Sequence, residues 1–480
     1  MSRAYYTLSF LSLFFISGAL MAQENEPKSF TLDQCVKYAL DNSYNIANAK
    51  IDEQIAAAKV RETIGIGLPQ ISGSVGLQHN QKQARFFGIY DPNASFSFFP
   101  SGISGAKAGD VLAAQNFFQL KSSGMASVSV NQIIFNGSYL VGLQASNAYK
   151  ELSIKTTNQT NEQVVEQVTK AYYSVLVNRE RMKLFDNNIN RVDSLLITTK
   201  AMNENGFAEG IDVDRIQVTL NNLVTEKSKF EKLQQLSVEL LKFQMNYPLG
   251  QPIEVVGELN KEMIDVNLDE YLRDWDYKGR PDYQVLETNW KLQNLNIKNN
   301  YASALPSLSA NANMGYSTQS SNIGGLFKTN SGVSDDGRIG PDSWYPFSSF
   351  GLNLSIPLFS GLQRTYKVQQ EKLQLRKIEN GFKSLEKAID LEIKQATINY
   401  QNSIEALKSQ EQNMGLAENI ARITKIKYEQ GVGSNLEVID AESSLKEAQV
   451  NYYNALFDAT IAKTDLDKAF GKLLPTPELK

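Results

Sequence analysis

The chain reads as a mixed α and β membrane protein with an internal duplication, made of four transmembrane β-strands and two very long helical hairpins. Three observations predict this class. Much of the sequence occurs twice, about 225 residues apart. Segments of about ten residues alternate between apolar and small polar side chains, the pattern of a strand whose two faces meet different surroundings. Two proline-free stretches of roughly 65 residues carry helical patterning, equivalent to ~100 Å at 1.5 Å per residue, far beyond an ordinary globular helix.

The duplication is explicit. Leu68-Pro69-Gln70-Ile71-Ser72 returns as Leu305-Pro306-Ser307-Leu308-Ser309, and Ile134-Phe135-Asn136-Gly137 as Leu358-Phe359-Ser360-Gly361. Asn205-Gly206-Phe207, followed by Ile211-Asp212-Val213, returns as Gln430-Gly431-Val432 followed by Leu436-Glu437-Val438. A period this long is a duplicated half-molecule, not a solenoid unit. The expected division is a signal peptide over 1–22, a first repeat over 23–250, a linker over 251–280, a second repeat over 281–472 and a tail over 473–480.

Arg3, the apolar run from Leu8 to Ala19 and the small residue Ala22 form the signal-peptide pattern. No later run is apolar for long enough to make a helical span, so an exported chain of this kind is either soluble or a β-barrel. The formal net charge of -4 over 480 residues points to neither nucleic acid nor a polybasic membrane patch. Cys35 is the only cysteine and His79 the only histidine. Together they exclude an intramolecular disulfide, a cysteine metal site and the usual nucleophile–base pairs, and no phosphate loop is present. The reading is a non-enzyme with no cofactor and no metal, in which Cys35 is a small buried helix residue.

Four strands are expected, at about 70–80, 125–135, 307–317 and 349–359. In the first, Ile71, Gly73, Val75, Leu77 and His79 oppose Ser72, Ser74, Gly76, Gln78 and Asn80. In the third, Leu308, Ala310, Ala312, Met314 and Tyr316 oppose Ser309, Asn311, Asn313, Gly315 and Ser317. One face suits lipid and the other a polar lumen, although an ordinary strand with one face on a protein core gives the same alternation. Residues 81–124 and 318–349 read as long aromatic-bearing loops. Two hairpins with bare edges cannot close in lipid, and closure takes about eight or more strands, so the chain must oligomerise; a trimer gives twelve.

In the last helix Ala441, Ala448, Ala455, Ala462 and Ala469 recur every seventh residue, with Leu445, Tyr452, Ala459 and Leu466 on the second seam position. Small seam residues admit close backbones, and a further stripe of Val438, Leu456 and Phe470 favours contacts on several sides. Both hairpin turns are glycine-rich. Asp212 and Asp214 follow the first turn, and Glu437 and Asp440 follow the second. Ser434-Asn435-Leu436-Glu437 is a capping-box pattern that by itself explains Glu437. Asp440 lies about a turn further on, so capping and an acidic constriction both stay open.

Taken in order, Phe30 to Leu40, the Leu-Pro strand starts, the Phe-x-Gly strand ends, Arg280-Pro281-Asp282 and Tyr428-x-x-Gly431 followed by Leu436-Glu437-Val438-Ile439-Asp440-Ala441 resemble the TolC-like outer-membrane efflux protein family. The resemblance implies a homotrimer with one twelve-stranded barrel in outer-membrane lipid, continuous with a periplasmic helical coiled-coil tunnel. It further implies a closed tip that opens when a periplasmic adaptor and an inner-membrane pump engage it. It places an acidic selectivity ring at Glu437 and Asp440, a gating acid at Asp212 and a tyrosine holding the closed state at Tyr428. Adaptor docking maps to Gly206-Phe207-Ala208 and Gly431-Val432-Gly433. Gly433 stands where some members carry a tip arginine, so closure through that arginine is not expected. The function implied is a passive, gated exit duct; a periplasmic coiled-coil adaptor or scaffold, and an uptake porin, remain as alternatives at this level.

Overall fold

A computed structural model describes residues 28–94, 99, 103–116, 118–259, 264–273, 275–328 and 341–474. The expected signal peptide and the last six residues of the expected tail lie outside these residues. The first half contains β1 (Lys28–Phe30), α1 (Leu32–Asn42), α2 (Tyr44–Ile66), β2 (Gln70–His79), β3 (Arg85–Ile89), β4 (Val111–Gln115), β5 (Ser122–Phe135), α3 (Gly137–Glu204) and α4 (Gly210–Met245). After β6 (Ile253–Val255) and α5 (Leu268–Arg273), the second half contains α6 (Pro281–Ala302), β7 (Ser307–Ser320), β8 (Tyr345–Ser355), α7 (Gln363–Glu429) and α8 (Asn435–Ala469). At 68 and 67 residues, α3 and α7 are each ~100 Å long. The chain divides into two compact units, one of residues 1–56, 149–291 and 376–480, the other of 57–148 and 292–375.

The second unit holds a four-stranded antiparallel sheet in the order β2-β5-β7-β8. The two hairpins expected from the sequence join through β5 and β7, from Ser122↔Ser320 to Phe135↔Leu308, with an irregularity between Ile133 and Phe135. The register aligns the faces across all four strands. Ile71, Val130, Ala312 and Phe350 form one apolar row, and Ser72, Ser129, Asn313 and Ser349 form a polar row behind it. Serines bridge the strands on the polar face, Ser72 to Ser129 at 2.8 Å and Ser74 to Ser127 at 3.0 Å. Both faces are bare along the outer strands. Every residue of β2 is exposed, and Val75 and Phe350 each retain 77% of their surface. A globular sheet covers its apolar face with a second layer; among the described residues no such layer covers this one. β2 and β8 are the edges, and Pro346 is tolerated in β8 because an edge strand has no partner for the missing N–H on one side.

Two strand expectations need correction. The fourth strand runs from Tyr345 to Ser355, not from 349 to 359. Pro357 has no N–H to extend the ladder, so Ile356, Leu358 and Phe359 fall beyond it. The stretch 81–124, read as a loop, contains the hairpin β3–β4, paired from Arg85↔Gln115 to Ile89↔Val111. One side of this hairpin holds Phe86, whose ring stacks on Phe99 with centroids 6.5 Å apart. The other side exposes Phe87, Ile89 and Val111.

In the first unit, α1 starts with a full capping box. The Thr31 N–H donates to Gln34 Oε1 at 2.9 Å, and the Gln34 N–H donates to Thr31 Oγ1 at 3.4 Å. Cys35 follows within the same turn, with no exposed surface, and burial pushes its thiol up to about 12. It packs in a core with Ile46, Val168, Leu176, Leu241 and Met245. The parallel pair β1–β6 closes this region. A second core takes Ala455, Ala459, Ala462, Leu466 and Ala469 of α8 against Ala396, Tyr400 and Leu407 of α7, so the heptad alanines are seam residues.

The Arg280-Pro281-Asp282 motif is a clasp. Arg280 Nε and Nη2 donate to the two Asp282 carboxylate oxygens at 3.1 and 2.9 Å, and Nη1 donates to Glu392 at 2.7 Å and to the Ala469 carbonyl at 3.0 Å. One buried guanidinium thus ties the start of α6 to α7 and to the end of α8. The nearby Glu162 is also buried. Its burial raises the carboxyl to about 7 against the attraction of Arg280 and Lys468, with Asp282 and Glu166 adding to the rise.

Candidate gate at the paired helical turns

The turns joining α3 to α4 and α7 to α8 share one backbone design. Gly206 and Gly431 adopt left-handed φ values of +81° and +75°, which only glycine takes without steric cost. Around Gly206 the Phe207 N–H donates to Met202 O at 2.8 Å and the Gly206 N–H to Asn203 O at 3.0 Å. Around Gly431 the Val432 N–H donates to Lys427 O at 3.0 Å and the Gly431 N–H to Tyr428 O at 2.9 Å. Both are Schellman caps. Each places one large apolar side chain in the open, Phe207 at 79% and Val432 at 77% exposure. Ala208 is half-buried, and its carbonyl accepts from Asn203 Nδ2 at 2.8 Å. Gly433 lies close to Lys427 and Tyr428, where an added Cβ would come within 3.1 Å of both.

The copies differ just after the turn. Glu209, the N-cap of α4, makes no side-chain cap, whereas Ser434 Oγ caps α8 by accepting from the Glu437 N–H at 3.2 Å. Ser434 alone supplies this cap, so the reciprocal half of the expected capping box is not formed and the Glu437 carboxylate is not used in it. Glu437 and Asp440 are both exposed, one turn apart on one helix face. Among the described residues neither forms an ion pair. Asp212 is half-buried in the first turn of α4, with Arg215 Nη1 3.7 Å from its carboxylate. The structure does not pair Asp212 with Glu437 or Asp440.

Tyr428 is buried at 5% exposure in an apolar cluster with Phe185, Val192, Leu195, Ile216 and Val438. Its hydroxyl lies 2.9 Å from Thr199 Oγ1, so it bonds the end of α7 to α3. Sequence reasoning missed three partners here: Thr199, Asn435, whose Nδ2 donates to the Asp212 carbonyl at 3.0 Å, and Arg191, whose Nε donates to the buried Glu442 at 3.0 Å. Only Asn435 left a signal, as an amide one residue inside a helix that Ser434 already caps. Among the described residues no group of three acids, histidines or cysteines forms a metal-binding cluster, and no helix is long and apolar enough to cross a membrane.

A family model described as outer membrane efflux protein matches residues 35–246 and 278–472. The chain belongs to the outer membrane efflux protein family. It is an outer-membrane protein. Among its relatives, the toluene efflux pump outer membrane protein TtgC of Pseudomonas putida is 23% identical over 316 residues, 64% of this chain. The chain spans 60% of the length of that relative. The outer membrane protein TolC of Vibrio cholerae is 20% identical over 350 residues, covering 72% of this chain and 76% of the relative. The fold is similar to solved outer-membrane channels. The open-state MtrE channel of Neisseria gonorrhoeae matches with a TM-score of 0.68 at 17% identity, over 92% of this chain and 89% of that one. The VceC protein of Vibrio cholerae matches with a TM-score of 0.66 at 14% identity, over 92% and 96%.

Proposed function

We propose that three copies of this chain form a gated exit duct of a tripartite efflux or secretion system, conducting cargo passively from a periplasmic adaptor and an inner-membrane pump to the outside. The observation that carries this reading is the four-stranded sheet whose outer strands are bare on both faces and, among the described residues, unpaired along their outer edges. Its apolar face calls for lipid, its serine and asparagine face for water, and its edges for the sheets of neighbouring copies. An uptake porin has no use for two helices of ~100 Å, and a soluble scaffold has no use for an uncovered apolar sheet.

At the turns, Phe207 and Val432 with Gly206, Ala208, Gly431 and Gly433 are the proposed adaptor-docking positions. Glu437 and Asp440, three times each around the axis, form the proposed acidic ring, with Asp212 beside it and Tyr428 holding the closed tip. Unpaired carboxylates gathered in a narrow pore attract cations and exclude anions. Reconstitution of the purified chain in planar bilayers, with native mass spectrometry, tests the reading. A trimer with cation-selective channels is expected, and Glu437→Ala with Asp440→Ala is expected to lower both the selectivity and the block by divalent cations. A monomer, or selectivity and block unchanged in the double variant, overturns it.

A further inference from the structure

Three helices of the first unit turn one side each toward a common space. Leu32, Val36 and Leu40 of α1 recur every fourth residue, as do Val165, Thr169 and Tyr173 of α3, and residues so spaced share a helix face. These two stripes, with the last turns of α8, line a cavity of about 570 Å³. Small-molecule sites run from roughly 300 to 1,000 Å³ and are mostly apolar with a few polar groups. We propose that this cavity binds an amphipathic amine, its apolar body against the α1 stripe and its ammonium group beside Tyr173, between Asp33 and Asp467. The site goes beyond the duct reading and does not depend on it.

Unused hydrogen-bonding groups distinguish this space from a packing gap. Elsewhere on α3, Thr156, Thr157 and Thr160 donate to the carbonyls four residues before them, at 3.0, 3.1 and 3.1 Å. Thr169 is 7% exposed, and its hydroxyl has no hydrogen-bond partner among the described residues. The Tyr173 hydroxyl, one turn further along the same stripe, has none either. A buried hydroxyl left unpaired is costly and calls for an explanation. Across the cavity, Thr460 donates to the Leu456 carbonyl at 2.8 Å and Thr464 to the Thr460 carbonyl at 3.0 Å. Their protons are committed, so they offer a guest only lone pairs.

Charge sets the class of guest. Asp467 is buried at the α8 wall, where it accepts from the Tyr271 hydroxyl at 2.5 Å and from Lys463 Nζ at 2.6 Å. Lys463 is therefore taken. Burial raises the Tyr173 hydroxyl, and the negative charges of Asp467 and Asp33 raise it further, so both carboxylates act on that end of the cavity. Asp33, Lys37 and Asp41 stand one turn apart along the exposed rim, and none forms an ion pair among the described residues. Lys37 balances one of the two rim acids and Lys463 balances Asp467, which leaves one negative charge over. Surplus carboxylate and threonine lone pairs favour a guest that donates and carries positive charge.

The test is isothermal titration of the full-length protein in nanodiscs, against empty nanodiscs, with 4-phenylbutylamine and 4-phenylbutanoate. The two probes share an apolar body and differ in charge. The amine is expected to bind roughly 10-fold or more tightly than the carboxylate. Asp33→Asn, at an exposed position, and Thr169→Val, which removes one unpaired hydroxyl, are each expected to weaken the amine roughly 3- to 10-fold. Val36→Trp fills the cavity and is expected to abolish binding; should it fail to fold, Asp33→Asn decides. Equal affinity for the two probes, or an amine affinity unchanged in both Asp33→Asn and Thr169→Val, overturns the site. Heats no larger than those of empty nanodiscs leave the cavity to water alone and overturn it too. A chain that binds the amine as expected but forms no channel upholds the site and overturns the duct reading alone.

Discussion

At the residue scale, single side chains settle questions that composition leaves open. Cys35 stands in the sequence as a single thiol without a partner to pair with. In the fold it lies behind a capping box with no exposed surface and a thiol pushed up to about 12 by burial. It is expected to resist maleimide at neutral pH in the native protein and to react fully in denaturant, measured by mass shift, since the thiolate is the reactive species. Arg280 is the other such residue. Its charge is buried against Asp282 and Glu392, and removing it strands both carboxylates. Arg280→Met is expected to cost about 3 kcal/mol, read as a lower melting temperature of the folded protein. The sequence marked Arg280 through its motif but gave no hint of Glu392 or the Ala469 carbonyl, because both partners lie more than 100 residues away along the chain.

At the element scale, what repeats locally was legible and what pairs at a distance was not. The alternation from Ile71 to His79 and the heptad alanines of α8 each follow from one backbone period, and both elements formed where that period runs. The hairpin β3–β4 lacked such a signal, since Arg85-Phe86-Phe87-Gly88-Ile89 is apolar on both sides and period-two contrast disappears. The joining of β5 to β7 depends on tertiary register and leaves no local trace. At the turns, Gly206 and Gly431 announced themselves, while Thr199 and Arg191 sit in ordinary helical sequence. The two faces of the sheet give a paired prediction. Val75→Arg, on the apolar face, is expected to cost about 2–4 kcal/mol if it lies near the bilayer midplane, and to reduce the folded species in the membrane fraction. Ser74→Arg, one residue away on the polar face, is expected to leave that fraction intact and to alter conductance instead.

At the scale of the whole molecule, Glu162 links the helical unit to pH. Its carboxyl ionises at about 4.5 in the unfolded chain and at about 7 in the fold. Below the lower value both states are protonated and the burial is harmless. As pH rises between the two values the unfolded carboxyl ionises while the native one keeps its proton, so stability falls across this window and stays reduced above it. A shift of this size is worth on the order of 3 kcal/mol. Thermal melts from pH 4.5 to 8 are expected to show the decline, and Glu162→Gln is expected to flatten it. The order of strands has a consequence of another kind, one of timing. β5 ends at Phe135, and its partner β7 begins only at Ser307. In the proposed duct, the first two strands would emerge long before the strand that joins them to the rest of the sheet, and the outer edges would wait longer still for another copy. Through that interval the apolar face of β2 and β5 would lack the strand that extends it. In the proposed duct, the order in which the strands are written would thus delay insertion of the sheet until the second half has arrived.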